Sequence, residues 1–286
     1  MNAIRVTDAE GRRIPVWQLV LRYLLLLAVL ALTVGPFLWQ LSTSLKGPHE
    51  DIFSSPPTFF PSEPTLDNYT RVAATIPVWD YALNSLKVAA TNVVTNCVGA
   101  ALAGYALARM RYRGRRAATL AFVLAMLVPV EGIIIAQFTT MRDLGLNNTL
   151  VAVLLPGCIG ALNVLLMRNA FLSLPQEVEE AAYVDGANVW QRFLRIALPS
   201  VKGTLAVVAI FSFMGAWDDF LWPLIVLSDP QNFTLTIGLN YLHGTFANDE
   251  RLVAAGTIIA VLPLIILFAC LQRFFFRGVG EGAVKG

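Results

Sequence analysis

The chain has 286 residues, of which 56% are hydrophobic and 14% charged, against about 25% charged in a soluble domain. With a mean hydropathy of +0.63, that composition excludes a water-soluble globule and points to a membrane as solvent. The formal net charge of +2 is too small to argue for a nucleic-acid partner.

Six apolar stretches are long enough, or nearly so, to cross about 30 Å of hydrocarbon, which takes about 20 helical residues. The first covers 17–41. It follows Arg5, Arg12 and Arg13, but it is too long for a signal-peptide core of about 7–15 residues and lacks a small-residue cleavage site. It is therefore expected to be an uncleaved helix. The segment 46–80 is rich in proline (Pro48, Pro56, Pro57, Pro61, Pro64, Pro77). Proline fixes φ and removes a backbone donor, so this segment is predicted to be an extended external loop. The second span, 82–108, is the least apolar and carries Asn84, Ser85, Thr91, Asn92, Thr95 and Asn96. The third, 117–138, contains Glu131; the fourth, 149–171, contains Asn163; the fifth, 201–227, contains Asp218 and Asp219; the sixth is 252–276. Cys97, Cys158 and Cys270 lie inside apolar runs, as small buried hydrophobes do. His49 and His243 are far apart, so no metal site and no catalytic cluster is expected.

Lys and Arg set the orientation. With the N-terminus in the cytoplasm, 16 of the 21 basic residues fall inside, among them the run Arg109, Arg111, Arg113, Arg115 and Arg116. Only Lys46, Arg71, Lys87, Arg142 and Arg251 fall outside. The expected fold is all-α: a polytopic membrane bundle of six helices with both termini cytoplasmic. Its parts are an N-terminal segment 1–16, a transmembrane region 17–276 and a tail 277–286.

The inner loop 173–200 differs in kind, being polar and amphipathic. Pro175 suits a helix start, and Glu177, Glu179 and Glu180 suit the positive end of a helix dipole. Ala181 and Ala182 allow close approach of another surface, and Gly186 permits a turn that a Cβ would strain. Trp190, Phe193, Leu194 and Ile196 follow as an apolar face, and Pro199 precedes the fifth span. On physics alone, a solvated surface helix and a docking element are equally acceptable.

The order Glu180-Ala181-Ala182, Gly186, Ile196, Leu198-Pro199 resembles the "EAA" loop of ABC-transporter permeases, with seven identities at fixed offsets. The resemblance extends to the carbohydrate-uptake branch through Thr43-Ser44-Leu45-Lys46, Asn84-Ser85, Leu144 to Thr149 and Trp217 to Leu224. Gly282 to Gly286 resembles the tail of maltose-transporter-type permeases. What the resemblance implies is a binding-protein-dependent importer in a prokaryotic plasma membrane. Glu180, Ala181, Ala182, Gly186, Ile196, Leu198 and Pro199 would then contact a cytoplasmic ATPase, with Glu180 as a buried carboxylate facing a cation there. The implied partners are a second permease subunit, two copies of the ATPase subunit, an extracytoplasmic substrate-binding protein and membrane lipid. None of the four lysines is followed by Ser or Thr, so the chain has no phosphate-binding loop of the G-x-x-x-x-G-K-[ST] type. ATP and Mg are expected on the ATPase, with no cofactor on this chain.

Ionisable and amide groups within spans are costly, and they line a cavity or bond a neighbouring helix. Glu131, Asn92, Asn96, Asn163, Asp218 and Asp219 are therefore candidates for a solute pathway, with interhelical bonding as the rival. Pro36, Pro129, Pro156, Pro223 and Pro263 are candidate kinks. Glycerol phosphate or a glycerophosphodiester is the alternative to a sugar as solute. A stand-alone secondary transporter and a membrane-embedded enzyme are the rival classes; the first leaves the Glu180 to Pro199 pattern unexplained, and the two distant histidines argue against the second.

Overall fold

A computed structural model describes residues 15–55, 58–245 and 249–283. The basic N-terminal residues Arg5, Arg12 and Arg13, the prolines Pro56 and Pro57, and the last three residues lie outside it. Among the described residues every regular element is helical. In chain order these are α1 Val16–Ser44, α2 Asp67–Thr75, α3 Val78–Arg109, α4 Arg115–Ala125, α5 Val130–Asp143, α6 Leu150–Leu154, α7 Ala161–Leu172, α8 Gln176–Val184, α9 Val189–Arg192, α10 Leu198–Ser200, α11 Lys202–Trp217, α12 Leu221–Val226, α13 Leu235–Thr245 and α14 Glu250–Ala283.

Three helices, α1, α3 and α14, are each long and apolar enough to cross a membrane unbroken. The other three expected spans are each broken and bent. The third divides into α4 and α5 at 102° and the fourth into Leu150–Gly157 and α7 at 43°, while the fifth is bent by 78° from the preceding Val189–Ser200 at its start and breaks again between α11 and α12. Proline explains two of the breaks. Pro129 stands immediately before α5 in extended conformation, and Pro156 sits in a 3₁₀ turn after α6. Each removes a helical N–H and clashes with the preceding turn. Pro36 and Pro263 lie inside continuous helices, so proline alone does not decide where a span breaks. The fifth expected span also stops early, since α11 ends at Trp217 and α12 starts at Leu221. Within the segment 277–286, α14 runs on as far as Ala283.

The chain divides into two compact units, one of residues 1–72 and 247–258, the other of 73–246 and 259–286. In the first, the end of α1 is tied to the following segment by polar groups. Lys46 is fully buried, donates 2.7 Å to the Thr58 carbonyl and lies 5.0 Å from the Trp39 ring centre. Asn68 donates 2.9 Å to the carbonyls of both Ser44 and Lys46. Arg71 pairs with Asp249 at 2.6 Å. The 46–80 segment is thus more ordered than an extended loop, and it includes α2.

In the second unit α3 packs along α7 and α11. Its buried Ala100, Ala101, Gly104 and Ala108 are small, so the helices approach closely. A Cβ on Gly104 would stand 2.7 Å from the Met167 side chain and 2.8 Å from the Arg168 backbone nitrogen. Tyr105, Phe171 and Phe193 complete the core at one end of this packing, with ring centres 5.1–6.3 Å apart.

Candidate coupling loop and solute cavity

The loop 173–200 folds as two short helices joined at a turn. Glu177 and Glu179 occupy the first turn of α8, where a negative charge meets the free N–H groups. Gly186 ends it with φ +84° and nothing within 4 Å of a built Cβ. The residue is needed for its backbone conformation and not for space. Asn188 then caps α9. Its side chain accepts from Gln191 N at 2.9 Å while Gln191 Oε1 accepts from Asn188 N at 2.8 Å, a reciprocal capping box. A π-helical turn at Phe193–Ala197 leads to α10 and Pro199.

Burial divides the acidic run. Glu180 is exposed within the chain, and Glu179 is the buried carboxylate at 7% exposure. Helical geometry is the reason, since adjacent residues point about 100° apart, so only one of the pair can face α3. Glu179 Oε1 stands 3.2 Å from Arg109 Nε, and Tyr105 donates its hydroxyl to Glu179 Oε2 at 3.0 Å. Arg109 also donates to the carbonyls of Phe171 and Leu174. The end of α3 is thereby fastened to both the end of α7 and the start of α8. A cavity of about 520 Å³ adjoins the cluster and reaches Glu180 and Tyr183.

The outward side of the loop stays exposed among the described residues, and its aromatic side chains touch only the loop itself: Arg192 lies 5.4 Å from the Tyr183 ring centre, and the Trp190 and Phe193 rings are 6.2 Å apart. Tyr183 is 67% exposed, Val184 84% and Trp190 62%. Glu180 and Ala181 lie on it, and Ala182 is half-buried. The expected single apolar face is split, because Phe193 is buried in the core while Trp190 and Leu194 face outward. Ile196 and Leu198 are half-buried, with Leu198 packed against the core, and Pro199 is exposed.

The candidate pathway residues also separate. Asn92, Asn96, Asn163 and Asp219 line one cavity of about 300 Å³, together with Gln137, Ser212 and Trp222. Asn96 Oδ1 accepts from Gly160 N at 2.7 Å and from Asn163 Nδ2 at 2.8 Å, and its amide donates 2.9 Å to Gly157 O. Asn163 also donates to Ser212 Oγ at 3.1 Å. Asn96 and Asn163 therefore bond α3, α7 and α11 together while forming the cavity wall, so bonding neighbouring helices and lining a cavity are not exclusive. Asp219 reaches the cavity because the helix ends two residues earlier at Trp217. Asp218 is exposed, and Glu131, exposed in the first turn of α5, is likewise outside the lining. The sequence offered little warning of Gln137, Ser212 and Trp222, but the pairing of Glu179 with Arg109 had a signal in two opposite charges at the ends of adjoining apolar segments.

The sequence profile of the family described as binding-protein-dependent transport system inner membrane component matches residues 97–281. The chain is 35% identical to the arabinooligosaccharides transport system permease protein AraQ of Halalkalibacterium halodurans, over 80% of this chain and 82% of that one. It is 34% identical to the diacetylchitobiose uptake system permease protein DasC of Streptomyces coelicolor, covering 88% and 92% respectively. It is 31% identical to the lactose transport system permease protein LacG of Rhizobium radiobacter, covering 96% and 98%. Among solved structures, a chain of a bacterial ABC transporter involved in import of the acidic polysaccharide alginate superposes with TM-score 0.79 at 25% identity, covering 90% of this chain and 95% of that one.

Proposed function

Because the chain belongs to the family of binding-protein-dependent transport system inner membrane components, we propose that it is the membrane-spanning permease subunit of an ATP-driven importer for an oligosaccharide or related hydroxyl-rich solute. It is a multi-pass membrane protein of a family of transport components. The observation that carries the coupling role is the two-sided loop 173–200, whose inner side is tied to α3 through Glu179 and Arg109 while its outer side is left exposed among the described residues. A separate ATPase, carrying ATP and Mg, would occupy that outer side around Glu180, Ala181 and Ala182, with Gly186, Ile196, Leu198 and Pro199 setting its shape. A pull on α8 would be passed by the buried pair to α3, which carries Asn92 and Asn96 at the cavity.

The cavity lining supports a neutral sugar. It offers amides from Asn92, Asn96, Gln137 and Asn163, the Ser212 hydroxyl, the Asp219 carboxylate and the Trp222 ring, and no Lys or Arg that would neutralise a phosphate. That favours a sugar over glycerol phosphate or a glycerophosphodiester. A second permease would complete the pathway and an extracytoplasmic binding protein would deliver the solute. The termini are proposed to be cytoplasmic from the distribution of basic residues.

The test is reconstitution of the full chain with its neighbouring gene products in proteoliposomes, measuring uptake of labelled oligosaccharide. The expected result is uptake that needs ATP and the binding protein and is abolished by Glu180→Arg. Uptake independent of ATP, or unaffected by that substitution, would overturn the proposal.

A further inference from the structure

The link between α3 and α4 forms a positively charged cleft that the transport reading leaves unused. After Arg109 the chain turns through Met110–Gly114, and Gly114 at φ +89° starts α4 without a side-chain cap. Arg111, Tyr112, Arg115, Arg116 and Thr119 line an open cavity of about 870 Å³, joined by Arg168 from α7. A single water occupies about 30 Å³ of liquid volume, so the space admits a sizeable polar group. None of these four arginines pairs with a carboxylate of a described residue. Arg115 and Arg168 are nevertheless half-buried, and Arg168 Nε is shielded from solvent with no acceptor. Half-buried like charges and an unmet donor call for an anion that supplies both charge and acceptor atoms. Basic residues that only orient a chain during insertion need no convergence from two separate helices, and Arg168 provides such convergence.

Below the cleft the surface changes character. No residue of α4 is buried. Leu120 and Leu124 are 55% and 51% exposed, and they stand four and eight residues after Arg116, on one helical face; Leu127, 73% exposed, follows in the turn at the bend. α4 has 11 residues before its bend, a length of about 16 Å, which is about half of a 30 Å hydrocarbon core and so the depth of one leaflet. Charge at the top and an apolar stripe one leaflet deep match the two ends of a single phospholipid. We propose that this cleft is a binding site for an anionic phospholipid, with Arg115 and Arg168 on its phosphate, Arg111 and Arg116 at the rim, and the acyl chains along α4.

The test uses the full chain in nanodiscs of phosphatidylcholine doped with phosphatidylglycerol. Lipids retained on mild release are counted by native mass spectrometry, and a photoactivatable headgroup analogue of phosphatidylglycerol is crosslinked and mapped. Expected are preferential retention of phosphatidylglycerol and adducts within 111–119 or at Arg168. Each arginine near an anionic lipid surface contributes about five-fold in affinity, so Arg115→Gln with Arg168→Gln should lower the preference at least about tenfold at unchanged helix content. Equal retention of both lipids, adducts confined to other segments, or an unchanged preference in the variant would overturn the site. Displacement of the lipid by inorganic phosphate alone would also overturn it, since the site would then be one for free phosphate. Should the double variant misfold, the adduct map on the unaltered chain decides alone. Transport is not the readout, so the proposal stands or falls separately from the importer reading.

Discussion

Glu179 and Glu180 are neighbours in the chain with opposite surroundings. Removing the Glu179 carboxylate leaves Arg109 buried without its counter-charge, and breaking one side of such a pair costs about 3–5 kcal/mol. Glu179→Ala should therefore lower the thermal midpoint of the purified chain sharply, while Glu180→Ala should leave it within about 0.5 kcal/mol of the parent, as exposed substitutions do. If the two variants melt alike, the buried pair is not what holds α8. Asn96 is the other decisive side chain. Its amide makes bonds to Gly157, Gly160 and Asn163, and interhelical bonds in membranes average about 0.6 kcal/mol each. Asn96→Ala should cost about 2 kcal/mol by that figure. It should also lower solute uptake, because the same bonds shape the cavity; a loss of stability with full uptake would confine Asn96 to holding the helices together.

Among the elements, α8, its turn and α9 act as one lever. The turn depends on Gly186 at φ +84°, a conformation that costs a residue with a Cβ about 1–2 kcal/mol. Gly186→Ala should reduce uptake while the thermal midpoint falls only slightly, because the strain is local and no neighbour is displaced. Unchanged uptake in that variant would argue against a fixed loop shape. The close packing of α3 on α7 is sensitive in another way. At Gly104 an added methyl meets α7 backbone, whereas at Gly215 it meets nothing within 4 Å. Gly104→Ala should thus lower the midpoint clearly more than Gly215→Ala. Both results are read in the same melting experiment.

For the molecule as a whole, the expectation is a bundle with both ends on one side of the membrane. A C-terminal fluorescent-protein fusion should fluoresce and an alkaline phosphatase fusion at the same place should be inactive; the opposite pattern would reverse the basic-residue assignment. The broken spans have a whole-molecule consequence too. Neither α4 nor α5, of 11 and 14 residues, reaches the about 20 residues that crossing requires. The pair must therefore cross together or return to the side it came from. Mapping the accessibility of a cysteine placed at Thr139 to a membrane-impermeant reagent separates those two courses.

Composition alone determined the solvent of this protein, because so low a charge content cannot clothe a water-soluble surface. Apolar length located the six hydrophobic stretches, and the spacing of Glu180, Gly186 and Pro199 marked the loop. These are properties of single segments, written in consecutive residues. The tertiary structure decided which carboxylate of 177–180 turns inward, because that depends on where α3 lies relative to the helix face. It decided that Asn96 and Asn163 meet while Glu131 and Asp218 do not, because a cavity wall is assembled from helices distant in the chain. It also decided where the spans break. Pro36 and Pro129 are chemically identical and both exposed, yet α1 continues past Pro36 while Pro129 stands just outside α5, so where a helix stops is not a property of the proline alone.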